Sequence, residues 1–379
     1  MTYSVYQHWD PLKVCIVGRS YAPEFYSFIA NSRVRNVMEK IAYETEEDYQ
    51  KLINLLESFG VEVLRPLPLS YDYNDYINFD NKIHPPPMTP RDYSIMLGND
   101  FYWKTLNPLD CDFWDSHKGS DWPNSAPKSL EDFNLMPQFI KDECLNFSNI
   151  TFKEWKPVID KIQLSADVIN LSDKTLNYFN SAMTTRVGKD IYVGTDHYDV
   201  SDQIRKMRIE YPEYRWHIVN TGGHNDGVFC PVVPGLIVSL RDIPSYKETF
   251  PDWEVIYLPD QSWDKVKSFL YLKEKNKGKW WVPGEELNND FTDFVESWLG
   301  HWVGYVEETV FDVNMIVIDE KNVVCNNYNE KVFKVFERYS ITPHVINFRH
   351  RYFWDGGLHC ITSDVHREGT MKDYFPERG

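Results

Sequence analysis

DIYVGTDHYDVSDQIRKMRIEYPEYRWHIVN, Asp190 to Asn220, holds one complete structural unit. DIYVG is a short aliphatic run bounded by turn residues, which favours a buried strand over a piece of helix. SDQIRKMRIEYPE then reads as a helix with Ser201 in the cap position, and YRWHIVN as a second strand. Strand, helix and strand in this order make one α/β unit.

The same unit recurs on either side. VCIVG (Val14–Gly18), YSIMLG (Tyr93–Gly98), GLIVSL (Gly235–Leu240) and NMIVID (Asn314–Asp319) are further buried-strand candidates. EEDYQKLINLLESFG, with Leu52, Leu55 and Leu56 at helical spacing and Gly60 as a stop, precedes VEVLRP. NEKVFKVFERYS precedes ITPHVINF. Five irregularly spaced units predict an α/β protein, either a propeller of α/β units or a doubly wound sheet. Phe101 to Leu171 breaks the rhythm and reads as an insertion of loops and short helices.

Of the 379 residues, 42% are hydrophobic and 16% aromatic, enough for a large core and against disorder. The net charge of -17 argues against nucleic acid and suits a small cationic substrate. No run is long and apolar enough for a membrane span, and MTYSVYQHWDPLK lacks the pattern of a signal peptide, so the expectation is a cytoplasmic protein. Six scattered cysteines without CxxC pairs form neither a zinc ribbon nor a disulfide framework.

Four stretches carry candidate chemistry. GGLHCIT (Gly356–Thr362) places Cys360 behind a glycine pair, either as a small buried residue or as a held nucleophile that needs a nearby acid/base. His359 is set aside as that partner, because neighbours on an extended chain face opposite sides. TGGHNDG (Thr221–Gly227) supplies His224 and Asp226, which share a side if the backbone is extended. In TPRDYSIMLGND, Asp92 opens a strand, as a solvated edge, paired with Arg91 or, if buried near a pocket, holding a cation. Asp196, His197 and Asp199 form a D-H-x-D cluster like that of metal-dependent ureohydrolases, but no second cluster accompanies it, and an acidic turn is favoured.

Six ordered motifs, WDPLKVCIVGR, TPRD, RVGKDIYV, HND with PGLIVS, NMIVIDEKNV and GGLHCITSDVHREGT, together resemble the amidinotransferases, the family of glycine and inosamine-phosphate amidinotransferases. The region from about 104 to 177 departs from the pattern. The resemblance implies a five-bladed, pseudo-symmetric, pentein-like α/β propeller closed into one domain over residues 1–379, with a divergent insertion at about 104–177. It implies transfer of an amidino group from L-arginine or a related guanidine to an amine acceptor, through an amidino-cysteine, with neither cofactor nor metal. Homodimers are common in the family.

Carried over, Cys360 is the nucleophile, His224 the acid/base, and Asp92 and Asp226 the carboxylates that clasp the guanidinium. Asn180 stands where the family orients its histidine with an aspartate, eight residues before the glycine matching Gly188. It accepts an imidazole N–H but brings no charge. Ile243 occupies the position of the arginine that grips the donor's carboxylate, with Arg241 close by as a substitute. Glu307 and Glu308 replace small hydroxyl residues at the acceptor side. A guanidine hydrolase resembling arginine deiminase and a guanidine-binding protein with lost or weak turnover remain the alternative functions.

Overall fold

The computed structural model describes residues 2–68, 72–77, 83–104, 130–170, 179–195, 200–222, 224–240, 246–258, 280–299, 313–354 and 356–378. Fifteen strands among them form five separate three-stranded sheets. β1 (Leu12–Val17) and β2 (Glu62–Leu64) lie parallel. The second sheet contains β3 (Ser94–Leu97), β4 (Asp100–Trp103) and β5 (Asp167–Asn170). The third contains β6 (Thr184–Val187), β7 (Asp190–Thr195) and β8 (Arg215–Asn220). The fourth contains β9 (Phe229–Val233), β10 (Leu236–Ser239) and β11 (Glu254–Tyr257). The fifth contains β12 (Ile316–Asp319), β13 (Asn322–Cys325) and β14 (Thr342–Val345). β15 (Thr362–Arg367) returns to pair antiparallel with β1 and completes the first sheet.

Each sheet repeats one topology: an antiparallel pair, then a third strand parallel to the middle one. A tight turn suffices for the antiparallel step, whereas the parallel step needs a crossover. Helices Ser32–Ser58, Gln138–Ile162, Ser201–Glu210 and Glu330–Arg338 lie in four of the crossovers. The doubly wound alternative is thereby excluded, since no ladder among the described residues joins one sheet to another.

Gly60, at φ +74°, ends the first helix as expected. Its N–H reaches Glu57 O at 2.9 Å while Val61 N–H reaches Leu56 O at 3.2 Å, the paired bonds of a left-handed helix stop. Two expectations need correction. Ser201 is the first helical residue and Val200 takes the cap position. The stretch Phe101 to Leu171 is not only loops and short helices: it holds the 25-residue helix Gln138–Ile162 and β5. Pro157 and a scatter of Asn, Ser and Thr mask that helix in the sequence.

Between the first three sheets lies a polar hub. Asp364 Oδ1 accepts from Arg186 at 2.6 Å, with Arg91 3.5 Å away, and Oδ2 accepts from Arg367 Nε at 2.7 Å. Burial pushes the Asp364 carboxyl up, but Arg186, Arg367 and Arg91 outweigh it and hold the group well below its ordinary range. Cys15, Cys144, Cys230, Cys325 and Cys360 are all buried; Cys111 lies outside the described residues. Among the described residues no helix is long and apolar enough to cross a membrane.

Candidate active site

Residues 358–361 form a turn that delivers the chain into β15. Gly356 has φ +124°, and a Cβ there would stand 2.3 Å from Cys360 Cβ and 2.8 Å from its Sγ. A Cβ on Gly357 would stand 2.8 Å from Asn314 Oδ1. The glycine pair is therefore required by two close approaches: one leaves room for the sulfur, the other for an amide.

The turn also overturns the reason for setting His359 aside. Because the backbone is not extended, His359 and Cys360 converge on one carboxylate: His359 Nδ1 lies 2.8 Å from Asp226 Oδ2, and the Cys360 thiol donates to the same oxygen at 3.6 Å. Arg91 pins the turn by donating Nε to His359 O at 2.8 Å and Thr362 O at 2.9 Å. It is thus committed to the hub and this turn, not to an ion pair with Asp92.

Asp226 sits in a 3-10 turn, Asn225–Gly227, that follows His224, so the assumed extended backbone across His224 and Asp226 does not hold. Asn225, 1% exposed, anchors that turn: its N–H donates to Ala182 O at 2.8 Å, and Nδ2 to Tyr192 O at 3.0 Å and Thr185 Oγ1 at 3.2 Å. Asn180 Oδ1 accepts Met183 N–H at 2.8 Å and so shapes the turn that presents Ala182 O. Asp92 lies in a single helical turn, Pro90–Tyr93, immediately before β3 and not in the strand itself. Its Oδ1 is 3.9 Å from His224 Nδ1.

Exposure divides the group into a floor and a rim. His224 and Asp92 side chains are 29% and 20% exposed, whereas Asp226 is 6% and Cys360 4%. Burial raises the Asp226 carboxyl, yet the hydrogen bond and charge from His359, with His224 and Arg91 nearby, bring it below its ordinary value. Burial and the Arg91 charge push His359 down to about 4, against the pull of Asp226. At neutral pH the pair is therefore a carboxylate receiving N–H from a neutral imidazole. Asp226 Oδ1 is buried without a hydrogen-bond partner among the described residues.

Asn314 completes the floor. Its Nδ2 lies 3.0 Å from Cys360 Sγ, and its Oδ1 accepts the N–H groups of His359 at 2.7 Å and Cys360 at 3.2 Å. The sequence shows it only as the residue opening NMIVID, and no local pattern marks its contact with a cysteine 46 positions away.

No protein-family profile matches the chain. Glycine amidinotransferase, mitochondrial, from Gallus gallus is 24% identical, with 98% of this chain and 84% of that protein covered. The L-arginine:L-lysine amidinotransferase of Pseudomonas savastanoi pv. phaseolicola is 20% identical over 87% of this chain and 80% of its own length. The chain resembles the amidinotransferases. Two solved amidinotransferases share the fold. One, from the saxitoxin biosynthetic pathway of Microseira wollei, has a TM-score of 0.60 at 17% identity and covers 98% of this chain and 99% of its own. The other, the inosamine-phosphate amidinotransferase of Streptomyces griseus, has a TM-score of 0.61 at 16% identity with the same coverage.

Of the amidinotransferase-like positions expected from sequence, Cys360 and Asp226 meet directly and His224 faces Asp92. Asn180 is buried beside the turn that carries them. Arg241 and Glu308, with Ile243 and Glu307, lie outside the described residues, as do Asp196, His197 and Asp199. Among the described residues no group of three or more His, Cys, Asp or Glu side chains forms a metal cluster.

Proposed function

We propose that this chain transfers an amidino group from L-arginine, or a related guanidine, to an amine acceptor through a covalent amidino-cysteine on Cys360. The observation that carries the reading is the convergence of the Cys360 thiol and His359 on the buried Asp226 carboxylate, beneath His224 and Asp92. Two carboxylates suit a planar cation with N–H donors along its edges, and Asp226 Oδ1 is an acceptor in need of a donor. Desolvating a guanidinium without such counter-charge would be prohibitive.

In this reading the bound cation favours loss of the thiol proton to His224. The sulfur pair attacks the central guanidinium carbon, a C–S bond forms, and the C=N pair moves onto nitrogen. The C–N bond to the donor chain then breaks as His224 protonates the leaving amine. In the second half the acceptor amine attacks the amidino carbon, gives its proton to His224, and the C–S pair returns to sulfur. An imidazole with an ordinary value near ~6.5 serves both transfers. Asn180 orients the His224 loop, Arg241 grips the donor carboxylate and Glu308 faces the acceptor. In this reading the five sheets are blades about a common axis in one domain of a cytoplasmic protein.

The test is intact-protein mass spectrometry after incubation with L-arginine, comparing the native chain with Cys360→Ser. An amidino-sized gain on the native chain alone, followed by ornithine release that depends on added amine, is the expected result. Citrulline or urea formed without an amine would reassign the chain as a hydrolase. Arginine binding that survives Cys360→Ala with no adduct on the native chain would make it a binding protein.

A further inference from the structure

We infer that Asn314 is a catalytic residue that holds the ionised sulfur of Cys360 and shields it from the Asp226 carboxylate. The inference rests on Cys360 being the nucleophile. Asn314 is fully buried, and its own carbonyl accepts from Asn326 Nδ2 at 3.0 Å, which fixes where the side chain starts. The orientation of the amide is equally fixed. His359 N–H and Cys360 N–H both point at one end of it, so that end is the carbonyl oxygen and the other is the NH₂ group.

One of the two Nδ2 hydrogens is directed at Sγ, 3.0 Å away. The other faces Asp226, whose backbone O and Oδ2 lie at 3.4 and 3.5 Å. The amide thus bridges two groups that repel once both are ionised, since Sγ and Asp226 Oδ2 are only 3.6 Å apart. Among the described residues, the other charged or titratable groups around them are His359 on the same carboxylate, Arg91 beneath the turn, Cys230 and His8 in the small cavity that Asp226 and His359 also line, and His224 with Asp92 on the rim.

An N–H donor binds a thiolate more strongly than the same sulfur once it is alkylated. Asn314 therefore favours formation of the nucleophile in the first half of the reaction. It also favours departure of that sulfur in the second, when the C–S pair is returned.

The experiment is a thiolate titration by ultraviolet absorbance, each protein measured against its own Cys360→Ser partner, for the native chain, Asn314→Asp and Asn314→Ala. The pH profile of Cys360 alkylation is recorded beside it, with labelling of the buried Cys15 and Cys325 as a report of unfolding. Asn314→Asp keeps an oxygen for both backbone N–H groups while losing the donor to sulfur. The expected result is a midpoint raised by about one pH unit or more in both variants, with roughly tenfold less thiolate at neutral pH.

A role confined to bracing the turn would leave the Asn314→Ala profile, in which the donor is lost and no charge is added, on that of the native chain, and that result overturns the inference. The native chain carries an independent test in case the variants unfold. A midpoint more than about one unit above the ~8.5 of an ordinary cysteine means that Asp226 prevails over Asn314, and the inference fails. Because the titration needs no donor, an unchanged Asn314→Ala profile alongside a normal arginine adduct sinks this inference alone. An absent adduct alongside a shifted profile sinks the transfer reading alone.

Discussion

Replacing Gly356 by alanine should damage stability and chemistry by separable amounts. A φ of +124° is strained for any L-residue, at a cost of about 1–3 kcal/mol. The added methyl would also stand 2.3 Å from Cys360 Cβ, about 1 Å inside ordinary contact. Relief in the other direction is blocked, because the next residue, Gly357, is already fitted against Asn314. The sulfur must therefore move by about 1 Å, and a displacement of that size costs on the order of 100-fold in rate. The assay is quenched-flow adduct formation with L-arginine, read by intact mass, beside urea unfolding. Gly235→Ala is the control: it too has positive φ, +89°, but nothing lies within 4 Å of its added Cβ. It should lose comparable stability at an unchanged rate. A Gly356→Ala protein as fast as the native chain would refute the argument that the glycine makes room for the nucleophile.

Three further outcomes are expected. Asp364→Asn strands Arg186, Arg367 and Arg91 against one another, so chemical denaturation should show a loss of about 3–5 kcal/mol; a loss below about 1 kcal/mol would mean the hub is not held by that charge. His359 falls from an ordinary 6.5 to about 4 on folding, so the unfolded chain takes its proton first. This contribution to stability is complete above pH 6.5 and is lost as pH falls toward 4, by up to about 3 kcal/mol; His359→Asn should flatten that slope in urea denaturation, and identical slopes would count against the depression of His359 by burial and Arg91. Asn180→Asp keeps the acceptor for Met183 N–H and adds charge beside the loop of His224; adduct formation should quicken by roughly tenfold or more, and an unchanged rate would confine Asn180 to shaping its turn.

What was legible in the sequence is what local periodicity encodes. The runs containing Val14, Ile95, Ile191, Ile237 and Val317 are all strands, because four to six β-branched or aliphatic residues between turns have little else to form. Two of their partners, β6 with its buried Arg186 and β15 with Asp364 and Arg367, are harder to read: their buried positions carry the polar hub, which breaks the apolar pattern. The helix Gln138–Ile162 was hidden by Pro157, whose cost is met by tertiary packing of residues such as Trp155 and Ile159. At the site, Cys360, His224, Asp92 and Asp226 stand in recognisable motifs. Asn314, Asn225 and the true placement of His359 depend on contacts between residues 40 to 133 positions apart and on a turn that reverses the expected alternation.

The first sheet is assembled from both ends of the chain, with β15 laid against β1. Synthesis therefore supplies the strands of the other four sheets before it supplies the strand that pairs antiparallel with β1. Cys360, the proposed nucleophile, is made just before it, two residues ahead of the strand. A nascent chain that has not reached β15 lacks both Cys360 and the antiparallel partner of β1, so the order of synthesis delivers the proposed nucleophile together with the strand that completes the first sheet.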